Sequence, residues 1–310
     1  MSYLFNYLQS INIKLKIFLL VSILALCIIV ISINPIDNQT PVKLIGNTNE
    51  IIRNRHNSNN VDATGKFQVI YTPLQRKHFI KRQERFQKYQ SFEKLAQKLN
   101  RVLIMPNDVK IVLGDCGAVN AYYKSSEHSI TLCYELIDRF TDVFMEYYQS
   151  RELNINEPEI VNKVNRRVAG TTVFTFFHEL GHTLIEELDL PVTGKEEDTV
   201  DEFSTILLSE LGQEFAALAS AIQFGLSGNQ EMESVSQDLS FWDEHSLNYQ
   251  RFYNIICLVY GKNPKEYDVL VENIGIPPER QTTCRIDYNK KLKAWRTILN
   301  PHLREGMNLL

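Results

Sequence analysis

The sequence predicts an α+β fold, mostly helical with a small N-terminal sheet and preceded by one transmembrane helix. Three observations predict it. An uncharged apolar run occupies residues 17–33, short apolar runs bounded by turn residues fall between Phe67 and Cys133, and from Tyr134 onward the apolar residues recur at helical spacing. With 310 residues, 44% hydrophobic and 23% charged, the chain has enough apolar material for one sizeable globular domain plus appendages. Its net charge of −4 argues against nucleic acid as a partner.

The elements follow in order. Residues 1–16 form a short N-terminus, and Lys14 and Lys16 just before the apolar run of 17–33 place it on the cytoplasmic side. No small-x-small cleavage pattern follows the run, so it reads as a retained signal anchor rather than a cleaved signal peptide. The remainder of the chain is then expected to be extracytoplasmic, on the periplasmic or extracellular side. Residues 34–65 are rich in Asn and lack periodicity, as a flexible tether would. The catalytic unit is expected over 66–310.

Within that unit, Phe67 to Tyr71 and Val109 to Leu113 read as strands, and Ala121 to Lys124 with Ser129 to Cys133 as a hairpin about a polar turn. Phe79, Phe86, Tyr89, Leu95 and Leu99 share helical spacing, with many Lys and Arg residues on a face that is either solvated or rests on anionic lipid. A helix over Tyr134 to Tyr148 comes next. Val161, Val164, Val168, Phe174, Phe177, Leu184 and Leu188 then mark a long buried helix, stopped before Pro191 and Gly194. Thr193 and Glu196 form a capping box for a new helix. Phe203 to Phe224 continues it, and Trp242 to Tyr260 is read as a further helix carrying His245. Four cysteines lie beyond the anchor. Proximity favours pairing Cys116 with Cys133 and Cys257 with Cys284, the alternative being buried free thiols.

The long helix carries the chemistry. His178-Glu179-Leu180-Gly181-His182 places two imidazoles one turn apart on the same face with Glu179 beside them, the arrangement of a hydrolytic Zn2+ centre. Glu197, fifteen residues after His182, supplies the remaining ligand, and Asp201 shares its helical face four positions on. His178, His182 and Glu197 are therefore the expected metal ligands, giving a site of net charge about +1 that keeps one position for water. Glu179 is the expected general base, and Asp201 the group that fixes an imidazole through its spare N–H. Glu196 is less suited to that pairing, because its neighbour four residues on is Val200. His245, or secondarily Tyr253, is a candidate to stabilise the developing oxyanion.

These strings also resemble a known family. Phe176-Phe177-His178-Glu179-Leu180-Gly181-His182, Asp189-Leu190-Pro191-Val192 and Glu196-Glu197-Asp198-Thr199-Val200-Asp201 are similar to the bacterial metallopeptidase family DUF4344. Asp115-Cys116-Gly117, Asn120-Ala121-Tyr122, Cys133-Tyr134-Glu135-Leu136, Trp242 to Leu247, Arg251-Phe252-Tyr253-Asn254, Ala294-Trp295 and Pro301-His302-Leu303 extend the likeness over about Phe67 to Leu303. More broadly, HExxH followed by Glu-x-x-x-Asp resembles gluzincin peptidases. The resemblance implies a zincin-like fold and a zinc-dependent peptidase acting on a peptide or protein substrate. Two other functions fit the same motif: an inactive zincin scaffold binding peptide or an envelope partner, and a zinc hydrolase of non-peptide amides.

Overall fold

The computed structural model describes residues 65–74, 76–234 and 242–310. The anchor expected at 17–33 and the tether, apart from Gly65, lie outside the described residues. Among the described residues no helix is long and apolar enough to cross a membrane.

Four strands, β1 (Phe67–Tyr71), β2 (Val109–Gly114), β3 (Ala121–Lys124) and β4 (Ser129–Cys133), form one sheet in the order β1-β2-β4-β3. β1 and β2 are parallel, as are β2 and β4, whereas β3 returns antiparallel to β4, with Tyr123 opposite Ile130. A 3-10 turn, Ser125–Glu127, closes this hairpin, and His128 follows it in the left-handed region. The expected strands are thus present, and β3 lies at a sheet edge.

The segment expected as one helical run from Phe79 to Leu99 divides into α1 (Ile80–Tyr89) and α2 (Ser91–Val102). Gln90 separates them with φ of 52°, a reversal that lets the rings of Phe86 and Phe92 meet edge to face at 5.3 Å. α3 (Tyr134–Gln149) leads to α4 (Pro158–Glu187), the longest helix among the described residues. Pro158 opens α4 at a position where its missing N–H costs nothing. Its second half is buried on nearly every side, with Phe174, Phe176, Phe177, Leu180 and Leu184 all inaccessible. Each such side chain contributes roughly 1.5–3 kcal/mol by leaving water, so the helix bearing HELGH is also the main support of the core. Only Val161, of the positions expected to be buried, faces solvent.

α5 (Glu196–Glu210) begins at Lys195 with no side-chain cap, so the expected Thr193 capping box is not formed. Glu196, Glu197 and Asp198 instead place three carboxylates in its first turn, where the helix dipole favours negative charge. The helix expected to run through Phe224 stops at Glu210, because Gly212 takes φ of 65° before α6 (Glu214–Ser234) begins. The last three helices are α7 (Asn248–Lys262), α8 (Pro264–Asn273) and α9 (Pro278–Leu299). α7 starts six residues later than Trp242, so residues 242–247 form a turn and His245 is not helical. The two favoured disulfides are present: Cys116–Cys133 ties the loop after β2 to the end of β4, and Cys257–Cys284 ties α7 to α9.

α4 packs against α3, α5, α6 and the β3–β4 hairpin. Its approach to α5 depends on Gly181, where an added Cβ would come within 2.8 Å of Val200. Gly181→Ala is expected to push α5 away, costing about 1–3 kcal/mol as overpacking does. Because α5 carries Glu197, the same substitution is expected to weaken metal uptake, as calorimetric zinc titration beside a denaturant curve would show.

Candidate metal centre

Three elements bring the site together. α4 presents His178, Glu179 and His182, α5 presents Glu197 and Asp201, and the turn 242–247 adds His245 from the opposite side. They line a cleft of about 700 Å³ whose far wall is formed by Ala121, Tyr122 and Tyr123 of β3. β3 is held against α4 by Glu187, a buried carboxylate that accepts from Tyr123 Oη, from Asn107 Nδ2 at 2.9 Å and from His128.

Each histidine has one nitrogen committed. Nδ1 of His178 lies 2.8 Å from Asp201 Oδ1, and Nδ1 of His182 lies 2.7 Å from Glu196 Oε1. A carboxylate only accepts, so each Nδ1 carries a proton, and each Nε2 points inward, where it offers a lone pair whenever the ring is neutral. The inward atoms converge. His178 Nε2 is 3.3 Å from His182 Nε2 and 3.1 Å from Glu197 Oε2, and His182 Nε2 is 3.4 Å from Glu197 Oε1.

In the metal-free site the His178 Nε2 proton is shared with Glu197, and a divalent ion takes the place of that proton. Ligand distances of about 2.0–2.2 Å around a tetrahedral zinc separate the ligand atoms by roughly 3.3–3.6 Å, close to the contacts observed. The residues therefore fit a divalent ion with the nitrogen and oxygen donors that suit zinc. The structure brings together His178, Glu179, His182, Glu197, Asp201 and His245, and leaves Tyr253 outside the cleft.

The family model designated DUF4344 and described as "Putative metallopeptidase" matches residues 71–299. The chain belongs to this family. No curated protein and no solved structure matches it. The family description agrees with the convergence of histidine and glutamate side chains in this DUF4344 protein.

Three contributors to the site went unread in the sequence. Glu196 pairs with His182 across the α4–α5 interface, a contact that spacing within α5 alone does not reveal. Arg251 of α7 forks onto Asp201 at 2.6 and 2.8 Å while its guanidinium lies 3.9 Å from the centre of the Phe224 ring. Asp243 accepts the His245 backbone N–H at 2.8 Å and lies 3.4 Å from His245 Nδ1. Tyr253, by contrast, is exposed and lines a neighbouring hollow with Asp198 and Ser246.

Charge in the DUF4344 site follows from these contacts. Burial opposes a charged His178, but the hydrogen bonds to Asp201 and Glu197 outweigh it and lift the ring to about 9. Burial likewise opposes ionised Glu197, yet His178, His182 and His245 hold it well below the usual carboxylate range. Burial raises Glu179, with the two ligand histidines working against it. In chelated protein the His178 contribution to stability is complete below the ordinary histidine value of 6.5 and is lost as pH rises through about 9. Zinc must displace the same proton, so its affinity rises across that window. Chelated protein is thus expected to melt lower at pH 9 than at pH 6.5, while zinc raises the melting temperature more at pH 9. A melting temperature of chelated protein independent of pH would contradict this assignment.

Proposed function

We propose that this protein is a zinc-dependent metallopeptidase with a zincin-like catalytic domain, held outside the cytoplasm by the N-terminal segment 17–33. The observation that supports it best is the convergence of His178 Nε2, His182 Nε2 and the Glu197 carboxylate on one point beside a buried Glu179. When bound, zinc polarises a peptide carbonyl and makes water acidic enough to attack near neutral pH.

The chain's own groups supply the rest. Glu179 accepts the proton of the attacking water and returns it to the leaving amine. Its raised pKa suits a group that must both take and give a proton. Asp201 holds His178 in the required tautomer, and Glu196 does the same for His182. His245, whose protonation Glu197 favours, donates from Nε2 in its protonated form to the developing oxyanion. Among the described residues β3 has no strand on its outer side, so its main chain is suited to aligning an extended peptide across the cleft.

The test is elemental analysis of the full chain purified without chelator, followed by exposure to a peptide library. One zinc per chain and cleavage that is lost with a chelator and restored by zinc are expected. Metal uptake without turnover would favour the scaffold reading, turnover of small amides alone the third. Absence of uptake would overturn all three.

A further inference from the structure

We infer that His245 is a fourth protein donor to the metal in the resting site, so that three imidazoles and one carboxylate hold the ion until substrate displaces His245. The inference rests on the proposed metal centre and adds to it a closed resting state. Its Nε2 lies 3.0 Å from Glu197 Oε2, the same oxygen that lies 3.1 Å from His178 Nε2. Ligand atoms of His178, Glu197 and His245 all fall within 4.8 Å of one another, and His182 joins this set through its contacts of 3.3 Å to His178 and 3.4 Å to Glu197. The 3.0 Å contact of His245 is a little shorter than the separation of neighbouring ligands around a tetrahedral ion, roughly 3.3–3.6 Å, so His245 reaches the ion with a small outward shift.

His245 also repeats the pattern of the other two rings. Asp201 faces Nδ1 of His178, Glu196 faces Nδ1 of His182, and Asp243 faces Nδ1 of His245. A carboxylate behind the ring is the usual companion of a ligating histidine, because it fixes the tautomer that offers Nε2. The rings of His178 and His245 are parallel within 10°, but their centroids are 6.5 Å apart.

Displacement is built into the position. The side chains of His178 and His182 are 8% and 16% exposed on a buried helix, whereas that of His245 is 49% exposed on a turn. One ring cannot ligate and donate a hydrogen bond from Nε2 at the same time, so catalysis needs His245 to leave the ion, take up a proton at Nε2 from the solvent to which it is half exposed, and turn toward the substrate oxygen. Its short tether to Asp243 keeps it within reach when it does.

The experiment is zinc X-ray absorption on the full chain loaded with one equivalent of zinc, beside competition against a chromophoric chelator. Three imidazoles are expected in wild type and two in His245→Ala, with zinc affinity lower by at least about 10–100-fold, the range lost when only an outer partner of a ligand is removed. Asp243→Asn should keep three imidazoles and weaken affinity less. Since His245 lies on an exposed turn, the metal-free variants should melt like wild type. Two imidazoles in wild type, with unchanged affinity in His245→Ala, would overturn this inference and leave the proposed function standing. No zinc uptake by wild type would overturn both.

Discussion

Glu179→Gln lowers kcat/KM for peptide hydrolysis by at least about 10²–10⁴-fold, the contribution expected of a positioned acid–base group, and leaves zinc uptake intact. The amide keeps the shape of the side chain but accepts no proton from water. Zinc uptake survives because the donors that converge are His178, His182 and Glu197, with Glu179 beside them in the cleft wall. Stability should hold or rise, since burial already disfavours the ionised Glu179 and a neutral amide avoids that cost. Steady-state kinetics, a zinc titration and a thermal melt on one preparation check all three parts. A variant that cleaves at the wild-type rate would remove Glu179 from the mechanism.

Asp201→Ala has the largest structural effect. The Asp201 side chain is only 8% exposed, and its two oxygens serve His178 Nδ1 and the Arg251 fork together. Truncation strands a buried guanidinium and frees the His178 ring. Breaking a buried ion pair from one side typically costs about 3–5 kcal/mol, and losing the partner that orients a ligand costs roughly 10–100-fold in metal affinity. The double variant Asp201→Ala/Arg251→Ala should be less unstable than the two single losses added together, because no unpaired charge remains. Its zinc affinity should stay low, since His178 still lacks its carboxylate. Denaturant unfolding and chelator competition separate the two effects. A loss below about 1 kcal/mol for Asp201→Ala would mean that the Asp201–Arg251 pair contributes little, as exposed pairs do.

Much of the centre was legible because its residues sit at fixed helical intervals. His178 and His182 one turn apart, and Glu197 and Asp201 one turn apart, need only helical geometry to share a face. The strands and both disulfides were readable from short apolar runs and cysteine proximity. What spacing does not encode is the angle at which two helices meet. Glu196 reaches His182 only because Gly181 lets α5 approach α4 closely. Arg251 meets Asp201 across fifty residues of chain, a contact with no local signature.

The breaks were harder than the helices. Gly212 offered a recognisable end signal that the apolar run through Phe224 obscured. Gln90 enters the left-handed region with no such signal, and the edge-to-face contact of Phe86 with Phe92 accompanies the reversal. The turn before α7 matters most for function. Apolar spacing carried the expected helix back to Trp242, yet that side chain is 79% exposed and His245 stands on a turn facing the cleft. The anchor at 17–33 rests on hydropathy alone, and a membrane fractionation of the full chain beside a chain lacking those residues would test it.

The central claim is that two imidazoles of α4 and one carboxylate of α5 hold a divalent ion. A zinc-soaked crystal measured on both sides of the zinc absorption edge tests it most directly. The account predicts one anomalous peak, about 2.0–2.2 Å from His178 Nε2, His182 Nε2 and a Glu197 oxygen. A peak elsewhere, or none with these three side chains in place, would contradict it.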